Sequence, residues 1–186
     1  MLKTKMWTNT ALKPDAKIQQ LMRALVVLCL IGFARTSLAA DSAVKSAISL
    51  DKKVHITLVD GRKFDVAIEP DQIGIKDIKV ASDSNTVGWL VLYPNPDGPH
   101  FDSLTGELVI WREGKVRQRF GTDQVFYSWT FFRGGAQVTY HTGPTHGERT
   151  SHCELHNVSD GRLVETWNGD LDGSAQQPDW VAPLKR

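Results

Sequence analysis

A chain of 186 residues with 22 Lys and Arg against 21 Asp and Glu carries a formal charge of +1, which gives no electrostatic basis for gripping a nucleic-acid backbone. Its two cysteines exclude a disulfide framework. The length suits one domain with its own core once a targeting segment is set aside.

Residues 1–40 read as that segment, a signal peptide. Lys3, Lys5, Lys13, Lys17 and Arg23 precede an apolar run from Ala24 to Ala34, and Ser37-Leu38-Ala39 supplies the small residues of a cleavage site after Ala39 or Ala40. The run falls short of the roughly twenty residues of a membrane helix, so no stable span is expected after cleavage. Met22-Arg23 followed directly by the apolar run makes a compact signal by itself, which points to Met22 as the translation start. Cys29 does not read as a lipid-attachment site, because Leu28 stands where a small residue belongs. The first forty residues hold six of the 22 basic and one of the 21 acidic residues, so the remaining 146 carry 16 against 20. A mildly acidic periplasmic or secreted protein is expected, and nucleic acid is not an expected partner. Cys153 is then the remaining thiol, and its place inside a strand predicts a small buried side chain.

Residues 41–50 are small and mixed and read as a loose lead-in. Ser42-Ala43-Val44-Lys45 matches S-x-x-K, but the partner motifs that chemistry needs are missing. Next, Val54–Leu58 and Phe64–Ile68 alternate around Asp60-Gly61, which predicts a hairpin over 53–69, with Pro70 ending its second strand.

From Ile75 a four-strand unit begins and is read twice, over 75–120 and 124–167. Ala81–Trp89, ASDSNTVGW, and Phe132–Tyr140, FRGGAQVTY, share a turn cluster followed by Val, a small residue and an aromatic. A second hairpin follows each, bending at Glu113-Gly114 and at Asp160-Gly161. These motifs resemble the blades of TolB-like and WD40-like propellers, with Asn157–Gly161 standing as the last turn of the second blade. The resemblance implies an all-β fold of two four-stranded antiparallel propeller-like sheets plus the N-terminal hairpin, with 168–186 as a tail. Two blades do not close a ring, so sheet edges are left for a protein partner or for self-association.

Within the first unit, Pro94–Gly106 is the longest loop, a length that often carries function. Trp89, Trp111, Trp129 and Trp167 fall in strands and read as core or edge cover. Arg112, Lys115, Arg117 and Arg119 alternate along one hairpin as a solvated face.

Two stretches carry metal-ligand chemistry. His141, His146, His152 and Glu154 lie in a histidine-rich hairpin over 141–156 that suits zinc or copper. His152 and His156, four apart on a strand, are separated by roughly 13 Å and do not share an ion directly. Asn168, Asp170 and Asp172, with Asp179 further on, follow the alternation of an oxygen-ligand calcium loop, though no helix flanks it. No nucleophile elbow, zinc-protease helix, phosphate loop or dinucleotide fingerprint is present. The expected function is therefore an exported, non-catalytic binding or protein-interaction module. A metal-dependent hydrolase or metal-binding protein using the histidine hairpin is the alternative.

Overall fold

The computed structural model describes residues 42–98, 102–144, 151–169, 171 and 176–185. Residues 1–40, where a signal peptide is expected, and His146, Asp170 and Asp172 lie outside them. The described residues build eleven strands and two short 3-10 turns: β1 Val44–Leu50, β2 Lys53–Leu58, β3 Lys63–Ala67, β4 Gly74–Val80, β5 Thr86–Tyr93, β6 Leu104–Arg112, β7 Lys115–Gly121, β8 Val125–Phe132, β9 Gln137–Gly143, β10 Ser151–Asn157 and β11 Leu163–Gly169, with turns at Arg133–Gly135 and Ala182–Leu184.

The fold is all-β, but the expected two sheets plus a hairpin is wrong. There are three antiparallel sheets, β1-β2-β3, β4-β5-β6-β7 and β8-β9-β10-β11, and none closes into a propeller. The missed strand is β1, which pairs with β2 from Leu50↔Lys53 back to Val44↔Leu58. Its turn, Asp51-Lys52, has both residues at positive φ (51° and 59°), the geometry of a tight two-residue hairpin built here without glycine. Small residues at 46, 47 and 49 and a bulge after Val44 mask its alternation.

The sheets stack, and the period-2 alternation of each strand decides which layer each residue enters. On the middle sheet Val87, Trp89, Val91, Val109 and Trp111 meet Val54, Ile56 and Leu58 of the first sheet. On its other face Leu90, Leu108, Ile110 and Phe120 meet Phe126, Trp129, Val138 and Tyr140 of the third. A third cluster joins Cys153 and Leu155 to Trp180, Val181 and Leu184 of the C-terminal segment, which Ser128 fixes by donating from Oγ to Leu184 O at 3.0 Å. Each fully buried large side chain contributes about 1.5–3 kcal/mol. Of the four tryptophans read as strand residues, Trp89, Trp111 and Trp129 are buried and Trp167 is partly so.

The two turn clusters matched in the sequence pack against one another. Val44 N donates to Ser84 O at 2.5 Å and Asp83 N to Gly134 O at 3.1 Å, so each sheet is tied to the next at its tight-turn end. Asp83 holds its own turn by accepting from Asn85 N (2.8 Å), Thr86 N (3.1 Å) and Thr86 Oγ (3.0 Å). Gly135 sits at φ +102°, and a Cβ there would meet Ala81 Cβ at 2.7 Å.

Gly88 allows a close approach of Trp129 to the middle sheet. A Cβ at this position would lie 2.6 Å from Trp129 Cη2 and 2.9 Å from Ile110 Cδ1. Gly88→Ala is expected to destabilise the protein by about 1–3 kcal/mol in urea unfolding, because the neighbouring indole has no room to retreat. Gly121→Ala, with nothing within 4 Å of the added carbon, is expected to stay within about 0.5 kcal/mol of the parent.

Candidate functional site

The third sheet carries a polar cluster where the middle sheet is apolar. Trp89 pairs with Val109 and Val87 with Trp111 in the middle sheet. The aligned residues of the third sheet pair Tyr140 with Glu154 and Val138 with His156. Glu154 therefore stands in the place of Val109, and His156 in that of Trp111. The aromatic partner is kept: Phe64 lies 5.3 Å from the Trp111 ring, and Phe120 lies 4.8 Å from the His156 ring. Phe120 and the stacked Tyr140 ring, 5.3 Å from His156, leave that side chain only 11% exposed.

Glu154 is the hub. Its Oε1 lies 2.9 Å from His152 Nε2, and its Oε2 accepts from Tyr140 Oη at 2.6 Å and lies 2.6 Å from His156 Nε2. His156 Nδ1 reaches Gly161 O at 3.0 Å, tying the β10–β11 turn to the cluster. His152 Nδ1 lies 2.7 Å from Asn168 Oδ1, so both of its ring nitrogens face acceptors. The Asn168 contact and then Glu154 hold the His152 ring protonated above its ordinary range, against the effect of burial. For Glu154, burial opposes the charge, yet the hydrogen bonds from Tyr140, His156 and His152 outweigh it and hold the carboxyl below its usual value. Burial, followed by the Glu154 contact, pushes the Tyr140 phenol well up.

The metal expectations meet this geometry unevenly. His152 and Glu154 come together, but as hydrogen-bond partners. The register pairs His141 with Cys153, on the face of the sheet opposite Glu154, and the His141 ring packs 5.2 Å from Tyr127. Among the described residues no three His, Cys, Asp or Glu side chains are grouped to hold an ion. Of the calcium-loop residues, Asn168 is committed to His152 and Asp179 lies exposed ahead of Trp180. Sequence reasoning set His156 aside as too far along the strand to share an ion with His152, and it missed Tyr140. The i, i+2, i+4 spacing of His152, Glu154 and His156 was the available signal, since all three side chains of such a series share one face.

No protein-family model matches the chain, and no curated protein matches it. Among the described residues no helix is long and apolar enough to cross a membrane.

The cluster makes stability depend on pH with two limits. The lowered carboxyl contributes above its ordinary value of 4.5 and loses that contribution as pH falls through the folded-state value. The raised His152 contributes fully below 6.5 and loses its contribution as pH rises through the folded-state value. Thermal unfolding is thus expected to show the cluster's largest effect between about pH 4.5 and 6.5. Glu154→Gln should cost about 1–3 kcal/mol there and flatten both limbs of the profile.

Cys153 is fully buried, and desolvation pushes its thiol up to about 12. Aromatic disulfide reagents are expected to leave Cys153 unmodified in the native protein and to react with it after unfolding.

Proposed function

We propose that the chain is an exported, non-catalytic interaction module that engages another polypeptide along the edge of its first sheet. The observation that carries this reading is the outer strand β1. From Ser46 to Leu50 it has no charged residue, and Ile48 and Leu50 are 56% and 55% exposed on an outer strand whose ladder partner among the described residues is β2. An uncharged, apolar edge is a template for strand addition, in which main-chain hydrogen bonds supply affinity and alternate side chains supply selectivity.

The other edges are guarded to different degrees. Strand β7 presents Lys115, Arg117 and Arg119, β3 presents Lys63 and Asp65, and β4 carries Lys76, Asp77 and Lys79 around a bulge. On β11, Leu163 and Val164 are exposed beside Glu165, which makes it the second open edge. The resemblance of residues 75–167 to TolB-like and WD40-like repeats supports the reading through the repeated four-strand unit. The satisfied state of His152, Glu154 and His156 supports it also, since each is already committed to neighbours in the same sheet. Export rests on the character of residues 1–40.

A photo-crosslinking residue at Ser46 is expected to give one discrete adduct in cells, which Ile48→Lys with Leu50→Lys removes without changing the melting temperature. An adduct at the mass of two copies would identify the partner as the chain itself. If neither adduct forms, and sedimentation shows a monomer at high concentration, edge docking is wrong.

A further inference from the structure

Strand β1 offers its main chain to a neighbour in a defined register. Leu50 and Lys53 flank the two-residue turn Asp51-Lys52 and form a hydrogen-bonded pair, so alternation turns the N–H and C=O groups of Leu50, Ile48 and Ser46 towards β2. Those of Ser49 and Ala47 then point off the edge. At the other end Val44 is withdrawn, because its side chain is in the core and its N–H is held by Ser84 O. The edge open to a neighbour is therefore 45–51, and Ile48 is its midpoint.

Charge and shape along that run are self-complementary. Lys45, the extra residue of the bulge, is exposed at one end, Asp51 is exposed at the other, and residues 46–50 between them are uncharged. Two such strands related by a twofold axis through Ile48 set Lys45 of each level with Asp51 of the other. Ala47 lies opposite Ser49 in both directions, and these are the two residues whose main-chain groups point outward. Ile48 meets its own copy in a non-hydrogen-bonded pair, where cross-strand side chains come closest, and Leu50 reaches that copy on the diagonal. Moving the axis to Ala47 would set Lys45 against Ser49 and Leu50 against the withdrawn Val44, losing the charge match at both ends.

The same operation fails at β7, β3 and β8. Strand β7 turned on itself about Gln118 opposes Arg117 to Arg119, and β3 about Asp65 opposes that carboxylate to its own copy. Strand β8, the outer strand of the third sheet, is uncharged from Val125 to Phe132, but side chains of the middle sheet take its carbonyls. Thr105 Oγ1 donates to Phe126 O at 2.6 Å and Lys79 Nζ donates to Trp129 O.

Given that β1 is a docking edge, we infer that the polypeptide it takes up is β1 of a second copy, joined antiparallel about Ile48 so that two three-stranded sheets become one. Main-chain hydrogen bonds and the apolar patch of Ile48 and Leu50 supply the attraction. The exposed Lys45–Asp51 pairs contribute little to affinity and fix orientation and register.

Sedimentation equilibrium of the purified protein at low salt is expected to show a monomer–dimer equilibrium. Lys45→Asp and Asp51→Lys each bring like charges together at both ends and are each expected to weaken dimerisation at least about fivefold. The turn already holds Lys52 at φ 59°, so a lysine beside it is accommodated. An equimolar mixture of the two variants restores opposite charges at both ends and is expected to recover the dimer as a heterodimer. Under mild oxidation Ile48→Cys is expected to give a disulfide joining position 48 of both copies, and Ser46→Cys is not. A monomer at high concentration, a dimer unaffected by Ile48→Lys with Leu50→Lys, or a variant mixture that stays monomeric would each overturn the assignment. A monomer whose Ser46 crosslinker captures a different protein removes the second copy and leaves the edge; a monomer with no adduct removes both.

Discussion

A β-sheet buried on both faces cannot end a structure; something must cover each side. Strand β5 meets that condition over Thr86–Val91, where six consecutive residues are buried, and β6 meets it over Leu108–Trp111. Odd-numbered residues of these segments belong to one core and even-numbered residues to the next. A one-residue slip would exchange the two layers, so the register of β5 against β6 governs how the first and third sheets dock. Trp129 of the third sheet then fills the space left by Gly88, and Lys79 of β4 lies 4.7 Å over the same indole while donating to Trp129 O.

The ends of the stack are resolved differently. On the first sheet, Lys53, His55, Thr57, Lys63 and Asp65 register on the face away from the core, with His55 Nδ1 2.8 Å from Asp65, and the exposed Ile48 and Leu50 pair opposite His55 and Lys53, so that face is polar except along β1. The third sheet instead has Cys153 and Leu155 on its outer face and requires Trp180, Val181 and Leu184 to cover them. Trp180 completes the cover by donating from Nε1 to Glu165 Oε2 at 3.0 Å. With both faces closed, the strand edges remain as the exposed main-chain surfaces, and their charges separate guarded edges from open ones.

Much of this was legible in the sequence where turn chemistry and alternation agreed. Asp60-Gly61, Glu113-Gly114 and Asp160-Gly161 are turns whose glycines take positive φ, and the strands flanking each fall where the alternation placed them. The match between Ala81–Trp89 and Phe132–Tyr140 also has a physical meaning: Val87 and Trp89 face the preceding sheet, and so do Val138 and Tyr140. What escaped were features whose cause lies outside the local pattern. Strand β1 is held by the middle sheet and by a turn of Asp51-Lys52, residues that carry no glycine signal. Sheet number followed from that omission. The grouping of His152, Glu154 and His156 with Tyr140 depended on a cross-strand register that periodicity alone does not specify.

The replacement of Val109 and Trp111 by Glu154 and His156 at matching positions bears on why the polar cluster exists. The corresponding layer between first and middle sheets is apolar and packs fully, so the fold does not require polarity there. A buried carboxylate with two imidazoles and a phenol is seldom more stabilising than apolar side chains of like volume, because desolvation offsets much of the Coulombic gain. Its effect is directional: Glu154 accepts only while Tyr140, His152 and His156 are aimed at it, and His156 binds Gly161 O only while the β10–β11 turn is in place. The hydrogen-bonded layer adds directional contacts to the register that burial already sets. Since β11 is the outermost strand of the third sheet and one of its open edges, fixing the hairpin also fixes the edge. The chain thus exchanges some burial energy for a defined position of the β10–β11 hairpin and its edge.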